Sequence, residues 1–323
     1  MRLAIIIPTY KVTFLDQALN SLAMQTNKNF KVYIGDDCSP YDINAVCERY
    51  KSIIQLEYFR FETNLGGTDL VKQWERCVAK MGEEEWLWLF SDDDIADNTC
   101  VEKFYEAINL TKGFYDVYRF NTCVIDKDNN FLSAAEESPT FENAMDLAIN
   151  ILLWKRGNSM PDHIFKKEKY IELNGFIDFK YAQSSDWATS INFAYDKGLY
   201  TIKGPIVKWR YSDENVSAQA VKKKKLLITG YIQFLKWINN RFDLTSEIKF
   251  GRKLSDLKEA SKMNFKLIVT KHYKGLPYGS IYGISKDLNK IFGEGLFKLI
   301  WMSLSINLKR DRRNLKKAIF NEK

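Results

Sequence analysis

The chain has 323 residues, 46% of them hydrophobic and 28% charged, with only 6 Pro and 16 Gly. That composition supports one large or two modest domains with a real core, and it excludes a disordered or fibrous chain. No apolar run reaches the roughly 20 residues of a membrane-spanning helix, which excludes a polytopic membrane protein. Charge is unevenly spread. Residues 1–217 hold 24 Lys and Arg against 33 Asp and Glu, a net of −9, whereas residues 218–323 hold 24 against 8, a net of +16. The split predicts two regions with different partners, 1–217 and 218–323. Cys38, Cys47, Cys77, Cys100 and Cys123 are odd in number and include no C-x-x-C pair. Neither a disulfide framework nor a zinc site is expected, and a reducing, cytoplasmic compartment fits. The apolar start, Leu3–Ile7 before Pro8, is too short for a signal-peptide core and reads as a buried strand.

In chain order, Leu3–Ile7 is the first predicted strand, and Phe14–Gln25 repeats apolar residues at helical spacing. Strand Lys31–Gly35, helix Tyr41–Lys51, strand Leu56–Phe61 and helix Thr68–Met81 follow. Next come strand Trp86–Phe90, helix Asn98–Leu110 and a strand beginning at Asp116. Strands separated by helices of this length argue for βαβ units and a mainly parallel, Rossmann-like sheet with flanking helices. Asp126–Asn130 is a polar turn that predicts a hairpin. Helices are expected at Glu142–Trp154 and Ser185–Lys197, and short strands at Leu199–Ile202 and Ile206–Tyr211. Beyond Ala218 long helical runs dominate, among them Lys222–Phe242 and Ser246–Lys274.

Ligands of an open parallel sheet bind outside the carboxyl ends of its strands. Two acidic clusters take that position. Asp36-Asp37-Cys38-Ser39 follows the second strand, and Ser91-Asp92-Asp93-Asp94 follows the fourth. Three adjacent carboxylates repel one another. Either solvent and the dipole of the next helix relieve them, or a divalent cation with oxygen ligands does. An EF-hand is excluded, because Asp97 stands where its loop needs Gly and Lys103 where it needs Glu.

Ile5-Ile6-Ile7-Pro8-Thr9-Tyr10, Gly35-Asp36-Asp37-Cys38-Ser39, Asn64-Leu65-Gly66-Gly67 and Phe90-Ser91-Asp92-Asp93-Asp94 occur in that order. Together they resemble the ordered motifs of family 2 glycosyltransferases over roughly residues 1–215. The resemblance implies the GT-A fold, an α/β nucleotide-sugar-binding domain, followed here by a C-terminal helical region. It implies inverting transfer of a sugar, by default from a UDP-sugar, to a glycan or lipid-linked glycan, assisted by Mg²⁺ or Mn²⁺. Pro8, Thr9 and Tyr10 would line the nucleotide pocket, and Asp37, rather than Asp36, would meet the base. Asp93 would hold the metal, with Asp92 near the ribose and Asp94 at the sugar or behind it. Ser91 replaces the first carboxylate of the common Asp-x-Asp-Asp form, which leaves the choice among the three acids open.

Gln183-Ser184-Ser185-Asp186-Trp187 resembles the acceptor-side base site, which makes Asp186 the candidate base; the alternative is a first-turn acid with Ser185 as cap. Trp187 either contacts sugar or packs in the core. Near Trp209–Ser217 the family often carries a histidine by the metal, but Ser212 stands there; metal binding then rests on Asp93 and the diphosphate, or uses Asp213 instead. His163 reads as a packed loop residue. Arg210 either reaches the phosphates or ends a strand at the surface. Asn64, Gly66 and Gly67 suit a tight turn, with or without a ligand against its backbone.

The basic region adds Lys222–Lys225, and Lys309–Arg313 after the apolar Leu296–Leu308. A basic helix with Trp, Phe and Leu on one face suits peripheral attachment to the cytoplasmic side of a membrane; packing within the region is the alternative. Nucleic acid is not expected, because no recognised module accompanies the charge. Two other functions compete with catalysis: a silent nucleotide-sugar or glycan-binding module on the same fold, and a membrane-docking scaffold.

Overall fold

The computed structural model describes residues 2–212, 224–272 and 275–321. The chain divides into two compact units, Met1–Asp213 and Glu214–Lys323. In the first unit, strands Leu3–Thr9 (β1), Phe30–Asp36 (β2), Gln55–Arg60 (β3) and Trp86–Leu89 (β4) alternate with helices Leu15–Ala23 (α1), Ile43–Glu48 (α2) and Leu70–Val78 (α3). These four strands lie in the order β3-β2-β1-β4, all parallel. Helices cover both faces of such a sheet, which is why β1 and β4 read as unbroken apolar runs.

Beyond β4 the sheet becomes mixed. It continues through His163–Lys166 (β9), Val117–Ile125 (β6), Leu199–Arg210 (β10) and Ile95–Ala96 (β5). Strand β9 runs antiparallel to both of its neighbours, and β10 is parallel to β6. Phe131–Ala134 (β7) forms the expected hairpin with β6, and Phe141–Glu142 (β8) pairs with β10. The two short strands expected at 199–211 are one strand with an irregularity between Ile202 and Ile206, around Gly204 at φ +102°. Strands β5, β8 and β9 are missed by pattern because two to four residues carry no period. Cys100–Thr111 (α4), Ala144–Leu152 (α5), Lys167–Glu172 (α6) and Ser185–Phe193 (α7) complete the unit.

Aromatic rings fill the centre of the sheet. Trp86 packs edge-on to Phe104 and Tyr118 at 5.5 and 5.4 Å, and Trp88 lies 5.2 Å from Phe90 and 5.4 Å from Phe120. The buried Trp88 indole N–H donates to the Pro161 carbonyl at 2.5 Å, which fixes the approach to β9. Beside this core lies a buried ion pair. Arg119 on β6 donates to Glu142 at 3.0 Å and to the Thr201 hydroxyl at 3.1 Å.

The second unit is helical: Lys224–Arg241 (α8), Leu244–Phe250 (α9), Leu254–Leu267 (α10), Ile281–Phe292 (α11) and Leu296–Asn321 (α12). The run expected over 246–274 is interrupted at Gly251, which takes φ +64° and ends α9. Among the described residues, no helix is long and apolar enough to cross a membrane.

Glu142→Ala would strand the Arg119 guanidinium in the core, so a loss of about 3–5 kcal/mol is expected in urea unfolding. A midpoint unchanged from the parent would contradict a structural role for this pair.

Candidate active site

The chain steps from β1 outward to β2 and β3, then returns to place β4 on the other side of β1. This reversal opens a crevice at the carboxyl ends of β1 and β4, the usual ligand position in such sheets. Thr9 ends β1 there, and the run Asp92–Asp94 follows β4.

The carboxylates after β2 are turned inward. Asp36 is fully buried; it accepts from the Ser39 amide at 2.7 Å, the Tyr58 hydroxyl at 2.6 Å and Arg60 at 2.7 Å. Asp37 accepts from the Leu65 amide at 2.7 Å, the Gly66 amide at 2.8 Å, the Asn64 side chain at 3.1 Å and Arg76. The Asn64–Gly67 turn is therefore built around an internal carboxylate. A Cβ on Gly66 would meet Asp37 Oδ2 at 2.8 Å, and one on Gly67 would meet Asn64 Oδ1 at 2.6 Å. The arginine that closes this arrangement, Arg76, also lies 3.9 Å over the Phe61 ring.

The three acids after β4 occupy three different environments. Asp92 accepts from the Thr9 hydroxyl at 2.9 Å and from the amides of Tyr10 and Lys11 at 3.2 and 3.4 Å. That ties the two strand ends across the crevice. Asp93 is half-buried, and burial with the neighbouring Asp92 charge pushes its carboxyl up to about 7. Asp94 is fully buried; it accepts the Arg210 amide at 2.8 Å, and burial holds its carboxyl well above the usual range.

Arg210 holds this loop. It is fully buried at the end of β10. Its Nε donates to the Asp93 carbonyl at 2.7 Å, Nη1 to the Asp126 and Lys127 carbonyls at 3.0 and 3.3 Å, and Nη2 to Gln17 at 2.9 Å. The guanidinium also lies 4.3 Å from the Phe14 ring. One side chain thus joins β10, the acidic loop, the hairpin and α1.

Asp186 lies in the first turn of α7 and is half-buried. Burial pushes its carboxyl up to about 7, and Asp162 adds to the rise while the Trp187 amide opposes it. The chain reaches it through strained backbone, with Tyr181, Ala182 and Ser184 at φ +63°, +51° and +62°. The N-cap is Ser184, with no side-chain cap bond; Ser185 is not the cap, since its hydroxyl accepts from the Phe179 amide at 3.0 Å. Trp187 meets Trp154 edge-on at 6.1 Å.

Residues 4–160 match the family model for glycosyl transferase family 2. This matched stretch of the N-terminal unit is a family 2 glycosyltransferase domain. A Haemophilus influenzae protein described as an uncharacterized glycosyltransferase is 27% identical over 175 residues, covering 54% of this chain and 55% of that protein. The Campylobacter jejuni GalNAc(5)-diNAcBac-PP-undecaprenol beta-1,3-glucosyltransferase is 21% identical over 277 residues, covering 85% of each. Among solved structures, Staphylococcus aureus TarS 1–349 in complex with UDP-GlcNAc aligns at a TM-score of 0.65 and 14% identity, over 98% of this chain and 92% of that one. The Pyrobaculum calidifontis mannosyltransferase PcManGT, in complex with GDP-Man and Mn²⁺, aligns at 0.52 and 14%, over 95% and 87%. These likenesses give the GT-A fold.

Within this glycosyltransferase domain several expected contacts are internal ones. Arg210 does not point to phosphates, because four of its donor contacts are made to protein oxygens. Asp37, expected at the base, accepts from four protein donors, and Asp94, expected at the sugar or behind it, is fully buried, as the second of these requires. Asn64 and Gly66 serve Asp37. Pro8, Thr9, Tyr10, Asp92 and Asp93 stay at the crevice. His163 is packed, stacked on Phe165 at 5.8 Å, but it opens strand β9 and does not lie in a loop. Ser212 is buried, and Asp213 lies outside the described residues. Among the described residues, no group of three or more His, Cys, Asp and Glu side chains could hold a metal. Asp93 nevertheless suits a hard cation that takes one or two carboxylates and completes its shell with water and phosphate, because such an ion would relieve its repulsion with Asp92. Sequence reading missed Arg76, Arg60, Tyr58 and Gln17, whose partners lie 22–193 residues away.

Arg210→Lys cannot reproduce the planar fork of contacts, so roughly 2–4 kcal/mol of stability should be lost. Donor affinity should fall with it as the acidic loop loosens. Calorimetric melting together with donor titration checks both.

Proposed function

We propose that this chain is a working inverting glycosyltransferase that moves a sugar from a nucleotide-sugar, a UDP-sugar, to a glycan or lipid-linked glycan. The observation that carries this reading is the Asp92–Asp94 run, held at the crevice between β1 and β4 of a family 2 domain. A UDP-sugar donor is supported by the TarS structure with UDP-GlcNAc, and a lipid-linked acceptor by the name of the Campylobacter jejuni relative. On this reading the basic helical unit, residues 218–323, brings the enzyme to the cytoplasmic face of the membrane that carries the acceptor.

Pro8, Thr9 and the exposed Tyr10 line the nucleotide side of the crevice, and Asp92, braced by Thr9, serves the ribose. Asp37, Asn64 and Gly66 shape the nucleotide pocket through the turn they build, and Arg210 and Asp94 keep the acidic loop in place. Mg²⁺ or Mn²⁺ bound by Asp93 together with diphosphate oxygens would neutralise the charge that departs with the nucleotide. Asp186 takes the proton from the acceptor hydroxyl as its oxygen attacks the anomeric carbon, and the nucleoside diphosphate leaves from the opposite face. A carboxylate poised near 7 is well matched to that task at neutral pH.

Donor hydrolysis and transfer, measured across UDP-, GDP- and dTDP-sugars with and without Mn²⁺, test the reading. Silence with every donor would favour the binding module. Asp93→Asn should abolish metal-dependent donor binding in calorimetric titration while the fold melts normally. Asp186→Asn should keep donor affinity and lose about 10²-fold or more in transfer.

The pH dependence has a definite sign. Asp186 acts deprotonated, so transfer should rise with pH and level off above about 7. Below that value the rate should fall about tenfold per pH unit. A flat profile from pH 5 to 8 would place the base elsewhere.

A further inference from the structure

Helix α12 buries one face within the helical unit. Leu299, Ser303 and Asn307 are 1%, 0% and 0% exposed. Asn307 is clamped to Leu276, accepting from its amide at 2.8 Å and donating to its carbonyl at 2.8 Å. The opposite face is not polar. Phe297, Trp301 and Leu308 are 88%, 68% and 50% exposed, and with the half-buried Leu304 they follow the i, i+4, i+7, i+11 spacing of one helical stripe. At 1.5 Å per residue the stripe runs about 16 Å along the helix. Large apolar side chains aligned and exposed in this way mark a contact surface.

Cations frame the stripe. Lys298, Lys309 and Arg312 are exposed within about 120° of Phe297 around the helix. The acids nearby are already engaged, Glu294 by Lys262 and by Lys298 at 3.1 Å, and Asp311 by Arg310 at 2.6 Å. We infer that α12 docks on an anionic lipid surface, with Phe297, Trp301, Leu304 and Leu308 in the headgroup–acyl boundary and Lys309 and Arg312 on the headgroups. Apolar residues, Trp among them, flanked by cations is the chemistry of an interfacial helix. A second copy fits less well: pairing through this face, in either direction, would set Lys298, Lys309 and Arg312 against the same cations. Residues 218–323 carry +16, which attracts the same surface from a distance. This docking deepens the proposed function, since it presupposes an acceptor carried by lipid.

The test uses the full chain in co-sedimentation with vesicles of phosphatidylcholine, with or without about 30 mol % phosphatidylglycerol. The parent should partition onto the anionic vesicles and only weakly onto the neutral ones. The Phe297→Ser, Trp301→Ser double variant should bind roughly 10²-fold more weakly, with melting temperature and donor hydrolysis unchanged. Lys309→Glu with Arg312→Glu should lose roughly tenfold or more on anionic vesicles. Equal binding of parent and double variant would overturn the inference. So would a parent dimer in light scattering that the double variant abolishes, without vesicle binding by either. Absence of donor hydrolysis in the parent would count against the proposed function and leave the vesicle result to be read by itself.

Discussion

The acidic loop after β4 depends on one buried cation. Three carboxylates in a row at the end of an apolar strand are unstable neighbours, and two of them have raised carboxyl pKa values. Arg210 supplies positive charge behind the loop and ties the Asp93 carbonyl to the hairpin and to α1. Asp94 returns the contact by accepting the Arg210 amide. With one acid thus committed to the scaffold and another tied to Thr9, only Asp93 is left poised at the crevice. A guanidinium is suited to this position, since it stays charged when buried and offers a planar fork of donors.

The same division recurs after β2. Asp36 and Asp37 gather amides, a hydroxyl and two arginines from β3, the 64–67 turn and α3. A carboxylate surrounded by donors is a structural anchor; Gly66 is small because that anchor lies against it, and Gly67 because the Asn64 side chain does. The carboxyl end of β2 is therefore held by internal hydrogen bonds. Strain collects instead before Asp186, where three non-glycine residues adopt left-handed backbone. Burial of this acid in the first turn of α7 is what raises its carboxyl, against the opposing Trp187 amide.

The helical unit follows a different logic. Its polar residues Ser303 and Asn307 are buried on the inner face of α12, whereas Phe297 and Trp301 are exposed. An inner face that adds Ser and Asn to Leu299, beside an outer face exposing Phe and Trp, departs from the usual order of a soluble helix. The exposed apolar face makes sense when it has its own apolar environment.

Much of this was legible in the sequence. Apolar strand runs separated by amphipathic helical runs marked out β1 to β4 and put the acidic clusters after β2 and β4, because these are local patterns with a period; the order β3-β2-β1-β4 is set by tertiary pairing. The roles of individual acids were not legible. Asp37, Asp92, Asp93 and Asp94 look alike in one dimension, and what separates them is which donors fold against them: Arg76 from 39 residues away, Thr9 from 83, Arg210 from 116. The short strands β5, β8 and β9 escaped for a related reason, since their conformation is set by neighbours and not by their own few residues. Composition and periodicity determined the scaffold and the address of the site. Only the tertiary structure decided which carboxylates became anchors and which stayed at the crevice, because a charge is defined by the partners that burial gives it.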